Sequence, residues 1–476
     1  MCTLQRKVGR TAQGIVIFRN LQTIMTGIPL IIAFVVAIVA MILLISKLKV
    51  HPFLAILVVS LVLALLAGIP LRQIPGVIGS GFAGTFTSIG IVIILGALIG
   101  AILEKTGAAF QLADMVIRLV GRKHPEIAME LMGWVVSIPV FCDSGFVMLN
   151  PIRKAMVRQT GTSSVAMTMC LSCGLFIAHV FIPPTPGPLA AAQALGMEHN
   201  LLLVIGMGAL CSVFPLIAGY FFARRIGQKV KSADETAAGG ETVKTYEELK
   251  AEYGKLPGAL DAIAPILVPI LLMAIASFVS MMHAEGRFAD ILVFLGTPIM
   301  ALSVGVVLAI IQLFRSGKGA DFYSLTNDTL KNVGPILFVT AAGGVLGKVI
   351  ASSDLVHFIT THANMSRAVG IFFPFLLSAV LKSAQGSSTV AITTTAGILA
   401  PLMAALGFVT PVDAALVVVA IGAGAMTVSH ANDSYFWVVT SFGRLTLRDG
   451  YRTQTLMTLV IGLAAMLEVF ILSLIF

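Results

Sequence analysis

Four short stretches carry the residue types that do chemistry inside an otherwise apolar chain. The first is Gly133–Ile152, G-W-V-V-S-I-P-V-F-C-D-S-G-F-V-M-L-N-P-I, with one carboxylate, Asp143, near its middle. An ionised carboxylate at the centre of a bilayer costs on the order of 3 kcal/mol on insertion scales, so it must face a cavity or a partner. Beside Ser144 and Gly145, Asp143 is suited to accept a proton or ligate an ion. The plainer alternative is a cap on a helix start. The second stretch is Gln385-Gly386-Ser387-Ser388-Thr389. Glycine permits close backbone approach, and hydroxyls with free N–H groups at a helix start bind anions; ordinary Ser/Thr helix packing is the alternative. The third is His179-V-F-I-Pro183-Pro184-Thr185-Pro186-Gly187-Pro188, where four prolines break a helix beside a histidine that could contact a proton or substrate. The fourth, Ser429-His430-Ala431-Asn432-Asp433-Ser434, ends a Gly/Ala-rich run, and Asp433 is either a site carboxylate or a helix cap.

Two lysines could balance an anion or pair with Asp143: Lys382, just before the second stretch, and Lys348 in the preceding apolar run. Either could instead snorkel to the interface. The other histidines fall at loops or run ends. Cys170-x-x-Cys173 lies in an apolar run with no second pair, so neither a disulfide framework nor a metal site is expected.

These stretches must be positioned at membrane depth. Of the 476 residues 58% are hydrophobic and only 11% are charged, and the mean hydropathy is +0.99. A soluble fold would be about a quarter charged, so the chain is read as an all-α polytopic membrane protein. The net charge of +9 sits mostly in short loops between apolar runs, which points to positive-inside topology rather than nucleic-acid binding.

Arg122/Lys123 and Arg153/Lys154 bracket the first stretch with 29 residues between them, too few for two crossings of about 20 each. The spacing predicts a hairpin that dips to mid-membrane and returns, with Cys142-Asp143-Ser144-Gly145 at its tip. Tracing the charges from Lys47/Lys49 puts residues 369–406 in a second hairpin entering from the opposite face and breaking at 384–388. Each half then holds about five spans and one re-entrant hairpin, and the odd number of spans inverts the second half. Gly96-A-L-I-Gly100 and Gly343-G-V-L-Gly347 echo one another, as do the breaks after His179 and at His430. An inverted repeat of this kind places a site between halves at mid-depth. The expected layout is an N-terminal extension over 1–25, with Met25 a plausible start, repeats over 26–225 and 258–476, and a cytoplasmic connector over 226–257.

At these residues the chain resembles the gluconate permease family of proton symporters, within the ion-transporter superfamily. Four motifs carry the resemblance, which spans about Thr26 to Phe476: Phe141–Phe146, His179 with Pro183–Pro188, Gln385-Gly386-Ser387 with Thr389-Val390-Ala391, and Ser429-His430 with Asn432-Asp433-Ser434 and Phe436-Trp437. The chain departs from many members at Thr185 and Tyr435, and has Lys382 where some have Arg. The resemblance implies uptake of gluconate, or a related sugar acid or small hydroxy acid, with a proton across the bacterial inner membrane. It implies binding residues at both tips and both breaks, and no catalytic residues, cofactor or metal. Sodium coupling and carriage of another small organic anion or a D-serine-like amino acid are the nearer alternatives. An intramembrane hydrolase and a channel are more distant. The partners expected are the organic anion, the coupling proton and the lipid bilayer, with a homodimer compatible with the sequence.

Overall fold

The computed structural model describes residues 27–120, 124–198, 200–236, 256–282, 286–362, 370–430 and 433–476, together with Glu248. The extension over 1–25, Asn432 and most of the 226–257 connector lie outside the described residues. Among the described residues all regular structure is helical. In the first half α1 (Ile28–Ser46), α2 (Pro52–Leu66) and α3 (Ile74–Thr106) are followed by a short α4 (Ala108–Val120). A hairpin of α5 (Pro125–Val136) and α6 (Cys142–Thr160) comes next, then a broken pair, α7 (Ser164–Phe181) and α8 (Pro186–Ala194), and a kinked pair, α9 (Leu201–Leu210) and α10 (Val213–Lys229). The one-turn α11 (Ala233–Thr236) follows.

The second half places four helices, rather than three, before its short helix. Helices α12 (Ala259–Met281), α13 (Arg287–Leu295), α14 (Pro298–Arg315) and α15 (Phe322–Ala351) lead to a short α16 (Leu355–His362). Hairpin α17 (Phe372–Gln385) and α18 (Ser388–Leu399), the broken pair α19 (Pro411–Met426) and α20 (Ser434–Phe442), and the closing α21 (Leu447–Gly450) and α22 (Leu456–Ile475) follow. Among the described residues eight helical stretches are long and apolar enough to cross a bilayer. The shorter α2 and the broken pair α19–α20 complete five candidate crossings per half.

Local chemistry sets the ends of these helices. Proline occupies the first turn of α2, α3, α5, α8, α14 and α19, where its missing N–H costs nothing. Gly107, Gly161 and Gly386 terminate α3, α6 and α17 in the left-handed conformation that favours glycine. The helix α4 is strongly amphipathic: Ala109, Leu112, Ala113, Val116 and Ile117 face inward and Leu119 outward. A helix of this length and pattern suits the interface rather than a crossing.

The layers follow from burial. Every residue of α7 is buried, as is Asp413–Met426 of α19, whereas α1 turns Ile28, Ile32 and Val36 outward as a lipid face. The two broken helices are therefore the centre of the molecule. Lipid tails are as apolar as leucine, so close backbone approach replaces the hydrophobic effect in joining the other helices to them. Gly81 of α3 meets α15 so closely that a Cβ would lie 2.8 Å from Val345 Cα. Gly96 abuts the Pro184 carbonyl at the first helix break, and Gly100 abuts the Pro139 carbonyl at the first hairpin tip. Gly343 and Gly347 lie in the same way against Thr394 and Gly397 of α18. Gly100 thus seats the first hairpin and Gly96 the first helix break, whereas Gly343 and Gly347 both lie against the second hairpin.

Candidate substrate and proton site

The first hairpin bends five residues earlier than its sequence suggests. Helix α5 ends at Val136, Ser137–Phe141 forms the turn, and Cys142 already opens α6. Pro139 explains the shift, because it cannot extend the ladder from α5, and the Ser137 hydroxyl closes the turn by donating to the Val140 carbonyl at 3.0 Å. Asp143, Ser144 and Gly145 therefore lie in the first turn of the returning arm. There the partial positive charge of a helix N-terminus favours a carboxylate. Asp143 does not cap the helix; Phe141 is at the N-cap position and makes no side-chain cap. Its Oδ2 accepts from the Cys142 thiol at 3.7 Å, whereas Oδ1 is buried with no hydrogen-bond partner. Ser434, at the start of α20, reaches the same carboxylate. Ser144 pairs with Glu104, near the end of α3. Gly145 leaves room for Leu175, which a Cβ would crowd at 2.7 Å.

The second hairpin turns where the sequence places it. Gly386, with φ of 88°, ends α17, and Ser387 caps α18 by accepting from Val390 N at 3.3 Å. Lys382, in the last turn of α17, is fully buried. Its ammonium donates to the Gly386 carbonyl of its own tip and lies 2.6 Å from Asp433 Oδ2, with the Phe176 ring 5.6 Å away. Lys348, the other candidate, is exposed at the end of α15 and takes no part. Gln385 leaves its amide Nε2 buried and unpartnered beside this tip. Ser388 and Thr389 are buried in the first turn of α18.

The two helix breaks face these tips. His179, buried near the end of α7, places Nε2 3.4 Å from the Thr389 hydroxyl and its ring 5.8 Å from that of Phe141, so it touches both hairpins. Its Nδ1 has no partner. Thr185 is buried at the N-cap position of α8, but its hydroxyl turns back to the Ile182 carbonyl at 2.7 Å rather than toward the ionisable groups. In the second break Asp433 both caps and pairs, so the two roles weighed for it coexist. Oδ1 accepts from Tyr435 N at 3.1 Å, while Oδ2 accepts from the Ser429 hydroxyl at 2.5 Å and takes the Lys382 charge. Ser429 N is held by the Thr458 hydroxyl at 2.9 Å. His430, half-buried, meets the Ser383 hydroxyl at 3.1 Å.

The sequence reading missed Tyr435 as a positioning group and Glu104 altogether. The Tyr435 hydroxyl donates to the Ser172 carbonyl at 3.1 Å, and its ring lies 5.0 Å from Phe176 and 6.3 Å from Phe146. Tyr435 thereby ties α20 to both α6 and α7. Asp143, Asp433, Lys382 and His179 form one electrostatic cluster, each within the field of others in the group. Two polar atoms in it, Asp143 Oδ1 and His179 Nδ1, are buried without partners, as is Nε2 of Gln385 at the second tip. Native proteins leave few such groups, and water or a ligand ordinarily completes their hydrogen bonding.

A multi-pass helical bundle with interrupted helices and buried ionisable groups at its centre has the architecture of a membrane transporter. Within that class the GntP family permease model matches residues 28–475, and the chain belongs to that family. The inner membrane permease YgbN of Escherichia coli is 31% identical, over 93% of this chain and 98% of that one. The low-affinity gluconate transporter of Escherichia coli is 30% identical, over 92% and 97%. The solved structure of MtrF from Neisseria gonorrhoeae, described in the context of antimetabolite efflux pumps, shares the fold at a TM-score of 0.64 and 14% identity, over 90% and 96%. The chain is thus a permease of the inner membrane.

Proposed function

We propose that the protein is a secondary active carrier that takes up gluconate, or a related sugar acid or small hydroxy acid, together with a proton. The observation that carries this reading is the charge balance of the cluster. Lys382 is already neutralised by Asp433, and Asp143 keeps a buried oxygen with no partner. At about 4 Å an ionised Asp143 would repel a substrate carboxylate by roughly 1–4 kcal/mol, depending on the local dielectric. A proton on Asp143 removes that repulsion and makes its orphaned oxygen a donor from which the substrate carboxylate can accept, so anion and proton bind best together. The substrate carboxylate suits the N–H groups and hydroxyls of Ser387, Ser388 and Thr389 beside Lys382. Its hydroxyls suit Gln385, His179, His430 and Asn432, and Asp433 holds the lysine in place.

The two halves, 26–225 and 258–476, would be an inverted repeat joined by a cytoplasmic connector over 226–257. Alternating access would then move the tips against the breaks. The test is uptake by proteoliposomes with imposed proton or sodium gradients, offered gluconate, other sugar acids, glycerate and D-serine. Asp143→Asn should abolish proton-driven accumulation while inserting normally. Accumulation by that variant at the parent's level would reject the coupling role, and accumulation driven by sodium alone would replace the proton.

A further inference from the structure

Glu130 is a second buried carboxyl that the cluster does not use. It lies on α5, the descending arm of the first hairpin, and is only 4% exposed. Backbone contact with two neighbouring helices encloses it. Gly174 of α7 lies against its own carbonyl, and a Cβ on Gly219 of α10 would come within 3.1 Å of its Oε1. That oxygen has no hydrogen-bond partner. The charged and titratable groups around it are few. Glu126 lies one turn away on α5, and α7 contributes Cys170 and Cys173, the latter against the carboxyl. From α10 comes Arg224, which is drawn to Glu126 at 4.0 Å. Among the described residues no cation pairs with Glu130. A lone carboxylate at this depth costs several kcal/mol to keep charged. A proton, or the water that delivers one, is the partner the site lacks.

Two features connect this carboxyl to the transport site. Glu126, Glu130 and Trp134 follow one another at intervals of four on one face of α5, and the indole Nε1 of Trp134 is also buried without a partner. An orphaned acceptor and an orphaned donor one turn apart can be bridged by a buried water. The stripe ends at the tip, beyond which Asp143 lies in the first turn of α6. On the other side Cys173 leads to Tyr435, whose hydroxyl lies in the field of Cys173, Cys142 and Asp143 together.

We infer that Glu130 is a second proton-binding group of the carrier, taking the proton that Asp143 releases and passing it to the face where Glu126 and Arg224 lie. The step is a proton transfer only: Asp143 is left as the carboxylate, Glu130 becomes the acid, and water beside Glu126 then accepts the proton. The inference rests on the proton-coupled reading above. It is tested with Glu130→Gln in proteoliposomes, comparing proton-driven net uptake with substrate counterflow, which needs no net proton movement. Counterflow should stay within about twofold of the parent while net uptake falls at least tenfold, the size of a lost proton-transfer group. Glu130→Asp should retain more net uptake than Gln. Equal net uptake in parent and Gln variant, or loss of counterflow together with net uptake in an inserted protein, overturns the role. Should the Gln variant fail to insert, the apolar, similarly long Glu130→Met decides: net uptake lost with counterflow spared supports the role, and parental net uptake rejects it. A parent that ignores the proton gradient would instead overturn the coupling reading itself, so the two failures are distinct.

Discussion

Replacing Lys382 by methionine isolates the ion pair at the centre of the site. The substitution keeps the length of the side chain and its packing on Phe176 but removes a fully buried cation 2.6 Å from Asp433. Asp433 would retain the Ser429 hydroxyl and Tyr435 N–H and lose the one countercharge it pairs with among the described residues. Removing one partner of a buried pair typically costs about 3–5 kcal/mol, whereas replacing both by neutral groups is often close to neutral. Lys382→Met should therefore lower the apparent unfolding midpoint of the detergent-purified protein by several degrees. Asp433→Asn, which strands the ammonium, should do the same. The double variant Lys382→Met/Asp433→Asn should recover most of the loss, a coupling of at least about 2 kcal/mol between residues in contact. Transport should not recover with it, because the cation beside the second tip is still missing. A double variant no more stable than either single one, or a Lys382→Met protein with the parent's midpoint, would refute the assignment of this pair as mutually neutralising. A double variant that accumulates gluconate normally would remove Lys382 from the substrate site.

Gly100→Ala should insert normally yet lose most uptake. Its new Cβ would collide with the Pro139 carbonyl, overpacking that costs about 1–3 kcal/mol and must displace the first tip; unchanged uptake kinetics would show that the tip tolerates the shift. Arg153 is fully buried and bonds Asn150 at 2.8 Å, the Ser164 hydroxyl at 2.6 Å and Asp234 at 2.9 Å. Arg153→Met should destabilise by about 3–5 kcal/mol in thermal unfolding. Lys105→Ala breaks a 2.9 Å pair with Asp321 in which both side chains are over 40% exposed, so it should cost no more than about 1 kcal/mol. Equal midpoints for these two variants would contradict the burial argument.

Asp143 and the second tip were legible because each violates its surroundings: a carboxylate, or a run of hydroxyls around a glycine, within apolar sequence. The position of the first bend was not. Ser144 and Gly145 are turn residues by type, but Pro139 stops α5 first and leaves them to begin a helix. Choosing between Lys348 and Lys382 was also beyond the sequence, since both stand near the end of an apolar helix. Packing decides it, leaving one exposed and burying the other against a carboxylate 51 residues away. Helix α4 was missed because its apolar residues are too few for a span, although their helical spacing was present to be counted. Glu104 and Glu130 carry the same signal as Asp143. Their nearness to charged loops hid it, because a carboxylate near a span end is ordinarily an interfacial residue.

The two hairpins do not complete their own half's site. The returning arm of the first, α6, packs on α20 of the second half, where Ser434 reaches Asp143. The returning arm of the second, α18, packs on α8 of the first half, where Gly187 lies over Thr389 and His179 meets its hydroxyl. Asp143 and Thr389 are therefore each met across the boundary between halves, by Ser434 and by His179. This crossing has a mechanical consequence for any carrier built on it. Were each tip satisfied within its own half, the halves could move apart with their hydrogen bonds intact, and proton and substrate would have little influence on the motion. With the bonds crossed, sliding a tip against the opposite break exposes Asp143 or Thr389 at a cost that depends on what occupies the site. A ligand shifts a conformational equilibrium only by its difference in affinity for the two states. Crossed contacts are where such a difference arises, so the ion pair of Lys382 with Asp433, which joins a tip to a break within the second half, serves as the fixed reference against which they change.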